Sequence, residues 1–170
     1  MLMHGSVPLL VMDYVDALVG AVVFVLVMSL VKEPTRRNLN AIIVAGASSV
    51  YLSGGFGPWE LVYPAIVTPV VYRGLRSHRF IGLAWLMHSC WDIVHHLWGN
   101  PIWPFMPTSS FGCMIFDALS AVWFLAGAPS IFAFLCEKTL RFTARRWCDR
   151  VTRLQPTSRT ANLPTKLLGA

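Results

Sequence analysis

Long apolar runs alternate with short charged breaks along this chain. Five runs can be set against the ~20 residues that a helix needs to cross a hydrocarbon core. The first covers about Tyr14 to Val31 and stops at Lys32-Glu33-Pro34. The second, about Leu39 to Phe56, is rich in small residues (Ala45, Gly46, Ala47, Ser48, Ser49), which let helices approach closely in lipid. The third, about Pro58 to Tyr72, is short and holds Pro64 and Pro69, so a kink is expected. The fourth runs from Phe80 to Trp98 and the fifth from about Phe111 to Leu135.

The placement of charge turns these runs into a topology. Of 14 Lys and Arg, six lie in the breaks after the first and third runs, and the rest follow residue 136. With five crossings, all of them fall on one side, as the positive-inside rule requires. A third segment that failed to cross would strand Arg73, Arg76 and Arg79 on the other side. The expectation is therefore an all-α polytopic membrane bundle of five transmembrane helices over residues 1–136, N-terminus out and C-terminus in. Trp59, Trp98 and Trp103 sit at the outer ends of runs, as an interfacial aromatic belt does. The Asn100 to Ser110 loop holds three prolines and reads as ordered and non-helical, with Thr108 or Ser109 as a cap for the fifth helix.

Residues 137–154 place Leu140, Ala144, Trp147, Val151 and Leu154 on one helical face and arginines on the rest. They read as a basic amphipathic helix on the anionic inner leaflet, or as a solvated continuation of the fifth helix. From Gln155 onward the composition is that of a disordered tail.

Composition agrees with a lipid environment. Hydrophobic residues make up 55% and charged residues 13% of the chain, too few charges to cover a water-facing surface. The net charge of +6 comes from topology-type clusters, so membrane lipids are the expected partners and nucleic acid is not. The four cysteines form no CxxC pair, which argues against a disulfide framework or a cysteine zinc site.

The candidate chemistry is concentrated in the fourth run, His88-Ser89-Cys90-Trp91-Asp92-Ile93-Val94-His95-His96. Positions 88, 92 and 95 or 96 share one helical face. Ionisable groups within a span are costly and mark functional sites by default. Asp117 in the fifth run should lie at the depth of Asp92, with Cys113 one turn above it. Asp13, Asp16 and Glu60 lie at or near the same side, which carries no Lys or Arg. Two or three imidazoles with carboxylates suit a divalent metal, zinc or non-haem iron, with His88, Asp92, His95 and His96 as ligands and Asp117 as ligand or general base. The alternative is that Asp92 and the histidines simply satisfy one another and lock the bundle. Glu60 reads as a helix-start carboxylate in Gly57-Pro58-Trp59-Glu60. Ser89 points off the face.

These residues also carry a resemblance. The chain resembles a family of small bacterial multispan integral membrane proteins classed as a domain of unknown function. The likeness runs from about Val19 to Phe132 and is most specific at His88 through His96, followed by Gly99-Asn100-Pro101 and Pro107-Thr108-Ser109-Ser110. It implies a multispan fold in the cell membrane and no particular activity. A chemical analogy extends to the membrane hydrolases that include alkaline ceramidases, which hold zinc with three histidines. Three function classes stay open: a metal-dependent membrane hydrolase, a proton- or cation-handling protein, and a non-catalytic scaffold or accessory subunit.

Overall fold

The computed structural model describes residues 8–50, 55–103, 105–135 and 138–139. The expected amphipathic helix and tail, residues 137–154 and 155–170, lie outside these apart from Lys138 and Thr139. Two compact units divide the chain at Ala133/Phe134. In the second, the Lys138 ammonium lies 4.5 Å over the Phe134 ring.

The described residues of the first unit are helical, without a strand. The helices are α1 (Val11–Leu30), α2 (Thr35–Ala47), α3 (Val62–Gly74, preceded by a 3₁₀ turn over Gly57–Leu61), α4 (His78–Trp98) and α5 (Ser109–Leu125). They run up and down. Asp13 at the start of α1 accepts a 2.7 Å hydrogen bond from Thr108 Oγ1 before α5. At the other end, Glu33 after α1 lies 2.9 Å from His78 at the start of α4. The end bearing the α4–α5 loop is called upper here, and the end bearing Glu33 lower. All six Lys and Arg between Lys32 and Arg79 belong to the lower end.

Each helix ends for a local reason. Asp13 Oδ2 accepts the Leu10 N–H at 2.7 Å, closing the first turn of α1. α2 is shorter than its apolar run. Ser48 and Ser49 hydroxyls turn back to the carbonyls of Ala45 and Gly46 at 2.5 and 2.6 Å, competing with continuation of the helix. α5 also stops short of the apolar run, which continues to Leu135. Ala128 N–H reaches Trp123 O and Gly127 N–H reaches Phe124 O, the paired bonds of a Schellman stop. Gly127 supplies the left-handed conformation this stop requires, at φ +90°.

α4 and α5 make the most extensive helix contact. Gly82 permits it: a Cβ there would stand 3.0 Å from the Ala121 carbonyl oxygen and 2.8 Å from Leu125. Ser89 Oγ donates to Met114 O at 2.9 Å across the same seam. Phe24, Trp85 and Phe116 interlock α1 with both helices, their rings 5.1–5.9 Å apart. The lower end is closed by Arg36. Its Nε donates to Val31 O at 2.9 Å, its Nη1 to Ala128 O, and its guanidinium lies 5.9 Å from the Trp123 ring centroid.

The interior is rich in polar groups, and the exterior rich in large apolar side chains, among the described residues. Among the described residues, 13 polar or charged residues are buried beside 16 hydrophobic ones. Meanwhile Val11, Leu18, Val22, Leu30, Ile66, Trp98 and Val122 are among the many large apolar side chains left outside. Among the described residues, α1 alone is both long and apolar enough to cross a membrane.

Replacing Gly82 by Ile is expected to force α4 and α5 apart and cost about 1–3 kcal/mol. Gly46→Ala, where the added Cβ meets nothing within 4 Å, should be neutral or stabilising. Thermal unfolding of the purified variants measures both.

Candidate functional site

The polar face of α4 is built as its spacing requires, with His88, Asp92 and His95 all buried. His96 is about 80° round the helix from His88. It is only partly buried, and its ring lies 5.5 Å from Phe111.

The three buried groups share a face but not a partner, because α4 has a different neighbour at each level. His88 Nε2 lies 2.9 Å from the Val44 carbonyl in the last turn of α2. A carbonyl only accepts, so this ring nitrogen carries the hydrogen. Asp92 and Asp117 of α5 are both buried and lie within electrostatic reach of one another. His95 Nε2 lies 3.3 Å from Glu60 Oε2 of the 3₁₀ turn, with both side chains almost wholly buried. The other oxygen, Glu60 Oε1, accepts the Phe56 N–H at 3.0 Å. Glu60 thus closes its own turn, as its position foretold, and also faces a site histidine.

Aromatic rings wall the imidazoles. Tyr63 meets His88 edge-on at 5.1 Å and stacks on Trp91 at 5.1 Å with only 4° between planes. Phe56 and Trp91 stand edge-on to His95 at 4.9 and 5.7 Å. Gly99 leaves room for the His95 ring: a Cβ there would be 2.6 Å from Nδ1. Gly55, at φ +98°, passes close to the Asn100 side chain. These two glycines press the irregular segment before α3 against the end of α4.

The set expected to share a metal, His88, Asp92, His95 and His96, is not drawn together. Among the described residues no group of three or more His, Cys, Asp or Glu side chains is placed to hold a metal ion. Helical spacing aligned the Cα positions, while the side chains reach to α2, α5 and the 3₁₀ turn. Asp117, expected as ligand or base, sits beside Asp92 as its depth required. Ser89 is buried too, but serves the α4–α5 seam. Glu60 and Tyr63 are the site residues that sequence reasoning missed. A carboxylate followed by an aromatic on the next turn of a Pro-started helix is a weak signal by itself.

Chemically, the Asp92–Asp117 contact is a proton-holding arrangement. Two carboxylates buried side by side cannot both hold a charge cheaply, so the pair is suited to keep one proton between them. Glu60 and His95 form a second acid–base pair near the upper end of α4. Arg36 is the one buried Lys or Arg among the described residues, and it belongs to the lower end.

A family profile matches residues 12–130, from the first turn of α1 through the stop after α5. The chain belongs to DUF6010, a family of unknown function. The DUF6010 region contains every residue of the site, Glu60, Tyr63, His88, Asp92, His95 and Asp117. No curated protein and no solved structure matches the chain.

Removing Glu60 takes away the carboxylate that faces His95 and the acceptor of the Phe56 N–H. Glu60→Ala should cost about 3 kcal/mol or more, the usual result of breaking a buried pair from one side. Glu60→Gln, which keeps an oxygen for Phe56, should cost roughly half as much. Chemical denaturation of the two variants beside wild type measures the difference.

Proposed function

We propose that this DUF6010 protein is a five-span membrane protein that takes up and passes protons through the buried Asp92–Asp117 pair. The observation that carries the reading is a pair of buried carboxyl groups, Asp92 and Asp117, on the closely packed helices α4 and α5, inside a bundle with many large apolar side chains outward. The many exposed large apolar side chains support lipid as the solvent, since water-soluble monomers rarely expose large apolar patches. The charge pattern supports the orientation. The lower end, with all six bundle Lys and Arg, is cytoplasmic, and the upper end is outside. Exposed Trp59, Trp98 and Trp103 at the upper end suit the outer interface. α2 and α3 are short for spanning helices. In the irregular chain beside them, Phe56 packs on His95 and Gly55 passes close to the Asn100 side chain, so this non-helical backbone is partly covered by protein.

Proton handling fits the site better than metal hydrolysis because the acids are paired with acids or bases and not focused on one point. Acidic and imidazole groups within membrane spans commonly serve as proton relays. Glu60–His95 stands toward the outer end as a second exchange pair. The basic residues after the bundle associate with the anionic inner leaflet.

The test is proton movement in proteoliposomes holding a pH-sensitive dye. Wild type should collapse an imposed pH gradient faster than protein-free liposomes. Asp117→Asn keeps the shape and can donate a hydrogen bond to Asp92, so it should fold normally and lose the flux entirely. Wild-type flux no higher than that of empty liposomes would refute the reading. Stoichiometric bound zinc or iron, lost in His88→Ala, would favour the hydrolase instead.

A further inference from the structure

Resting on the proton-handling reading, a second question is how protons reach a pair that is itself buried. Between the start of α1 and the start of α5 lies a pocket of about 200 Å³, lined by Asp13, Asp16, Trp103, Ser109, Gly112 and Cys113, among others. This is room for several water molecules. Its wall offers them polar partners in the two carboxylates and the Ser109 hydroxyl. Asp13 is held in place by Thr108 and by the Leu10 N–H, whereas Asp16 is exposed.

The inner end of the pocket points to the site. Cys113 lines it and is partly buried, and it lies one helical turn, about 5.4 Å along the axis, above Asp117. Cys113 is within electrostatic reach of both Asp92 and Asp117. The face of α5 that carries Cys113 and Asp117 also carries Ser110 and Ser120. Both serines are buried, and neither hydroxyl has a hydrogen-bond partner among the described protein atoms. Buried hydroxyls of this kind are ordinarily satisfied by ordered water. Gly112 makes the space: a Cβ built there meets nothing within 4 Å.

We infer that this pocket, continued along the Ser110–Cys113–Asp117 face of α5, is the water-filled route by which protons reach the carboxyl pair from the upper, outer end. Asp16 at its mouth favours cations over anions. Cys113 is the gate residue through which the route meets the pair. The apolar groove on the far side, between α3 and α4, offers no such path, since its lining is almost wholly apolar.

The route is tested by labelling a variant in which Cys113 is the sole cysteine, reconstituted in liposomes, with membrane-impermeant methanethiosulfonates. Cys113 should react from the outer face, and a cationic reagent should react about tenfold faster than an anionic one of equal size. Asp16→Asn, a surface change that leaves the fold intact, should erase most of that preference. Gly112→Trp should abolish labelling by filling the pocket, while Gly112→Ser should label like the parent. No labelling of Cys113 where a Trp103→Cys control reacts, reaction from the inner face only, or unchanged labelling in Gly112→Trp would each overturn the route. Labelling needs no proton flux, so the two ideas fail separately. The expected labelling pattern in a protein that moves no protons upholds the pocket as a hydrated route and removes only the transport reading. Flux without outer labelling removes the route alone.

Discussion

Two carboxyl groups can share a buried place only while one of them carries a proton, and Asp92 of α4 and Asp117 of α5 face one another on those terms. Much of the packing serves to hold the two helices close enough for the groups to meet. Gly82 lets α4 come to within contact of the Ala121 carbonyl, and Ser89 ties α4 to Met114 on the same seam. With larger residues in the seam the carboxyl groups would part, and each would then face the interior alone. An unpaired charge there costs far more than the pair does, because desolvation is no longer offset by a partner. The helix contact and the proton are thus linked: tight packing makes the shared proton necessary, and the shared proton makes tight packing possible.

The same logic organises the rest of the interior. In a bundle with apolar sides outward, burial of polar groups is tolerable only where each finds a partner. α4 provides that at three levels, with Val44 for His88, Asp117 for Asp92 and Glu60 for His95. Asn40 does likewise lower down, its Nδ2 2.9 Å from Arg36 O. Because the partners come from different elements, these contacts fix α2, α5 and the 3₁₀ turn around α4 with a direction that apolar packing by itself does not give.

Helical periodicity made the buried face of α4 legible, and the 3.6-residue repeat put His88, Asp92 and His95 inside while leaving His96 at the edge. The depth match of Asp92 and Asp117 also followed from the sequence, since a short loop joins two antiparallel helices. What the sequence could not supply was the third dimension of each side chain. A metal set reads well on a helical wheel, but a wheel does not show that α2, α5 and the turn before α3 flank the face at different heights. Glu60 was read for its local capping role, which is real, whereas its approach to His95 depends on chain far away in sequence. The ends of α2 and α5 lay deep inside apolar runs, where hydropathy outweighed the local signs. Gly127-Ala128-Pro129 did spell a helix stop in the sequence.

The two ends of the bundle differ in a way that bears on direction. Near the upper end the pocket beside Asp13 and Asp16 reaches Cys113, one turn from Asp117, and no Lys or Arg lines it. Below the pair, Val44, Val67, Ile81 and Phe124 are among the most deeply buried side chains, and Arg36 closes the bottom with its contacts to Val31, Ala128 and Trp123. On the proposed reading, the fixed positive charge of Arg36 at the lower end opposes protons from that side, so the pair exchanges with the upper side.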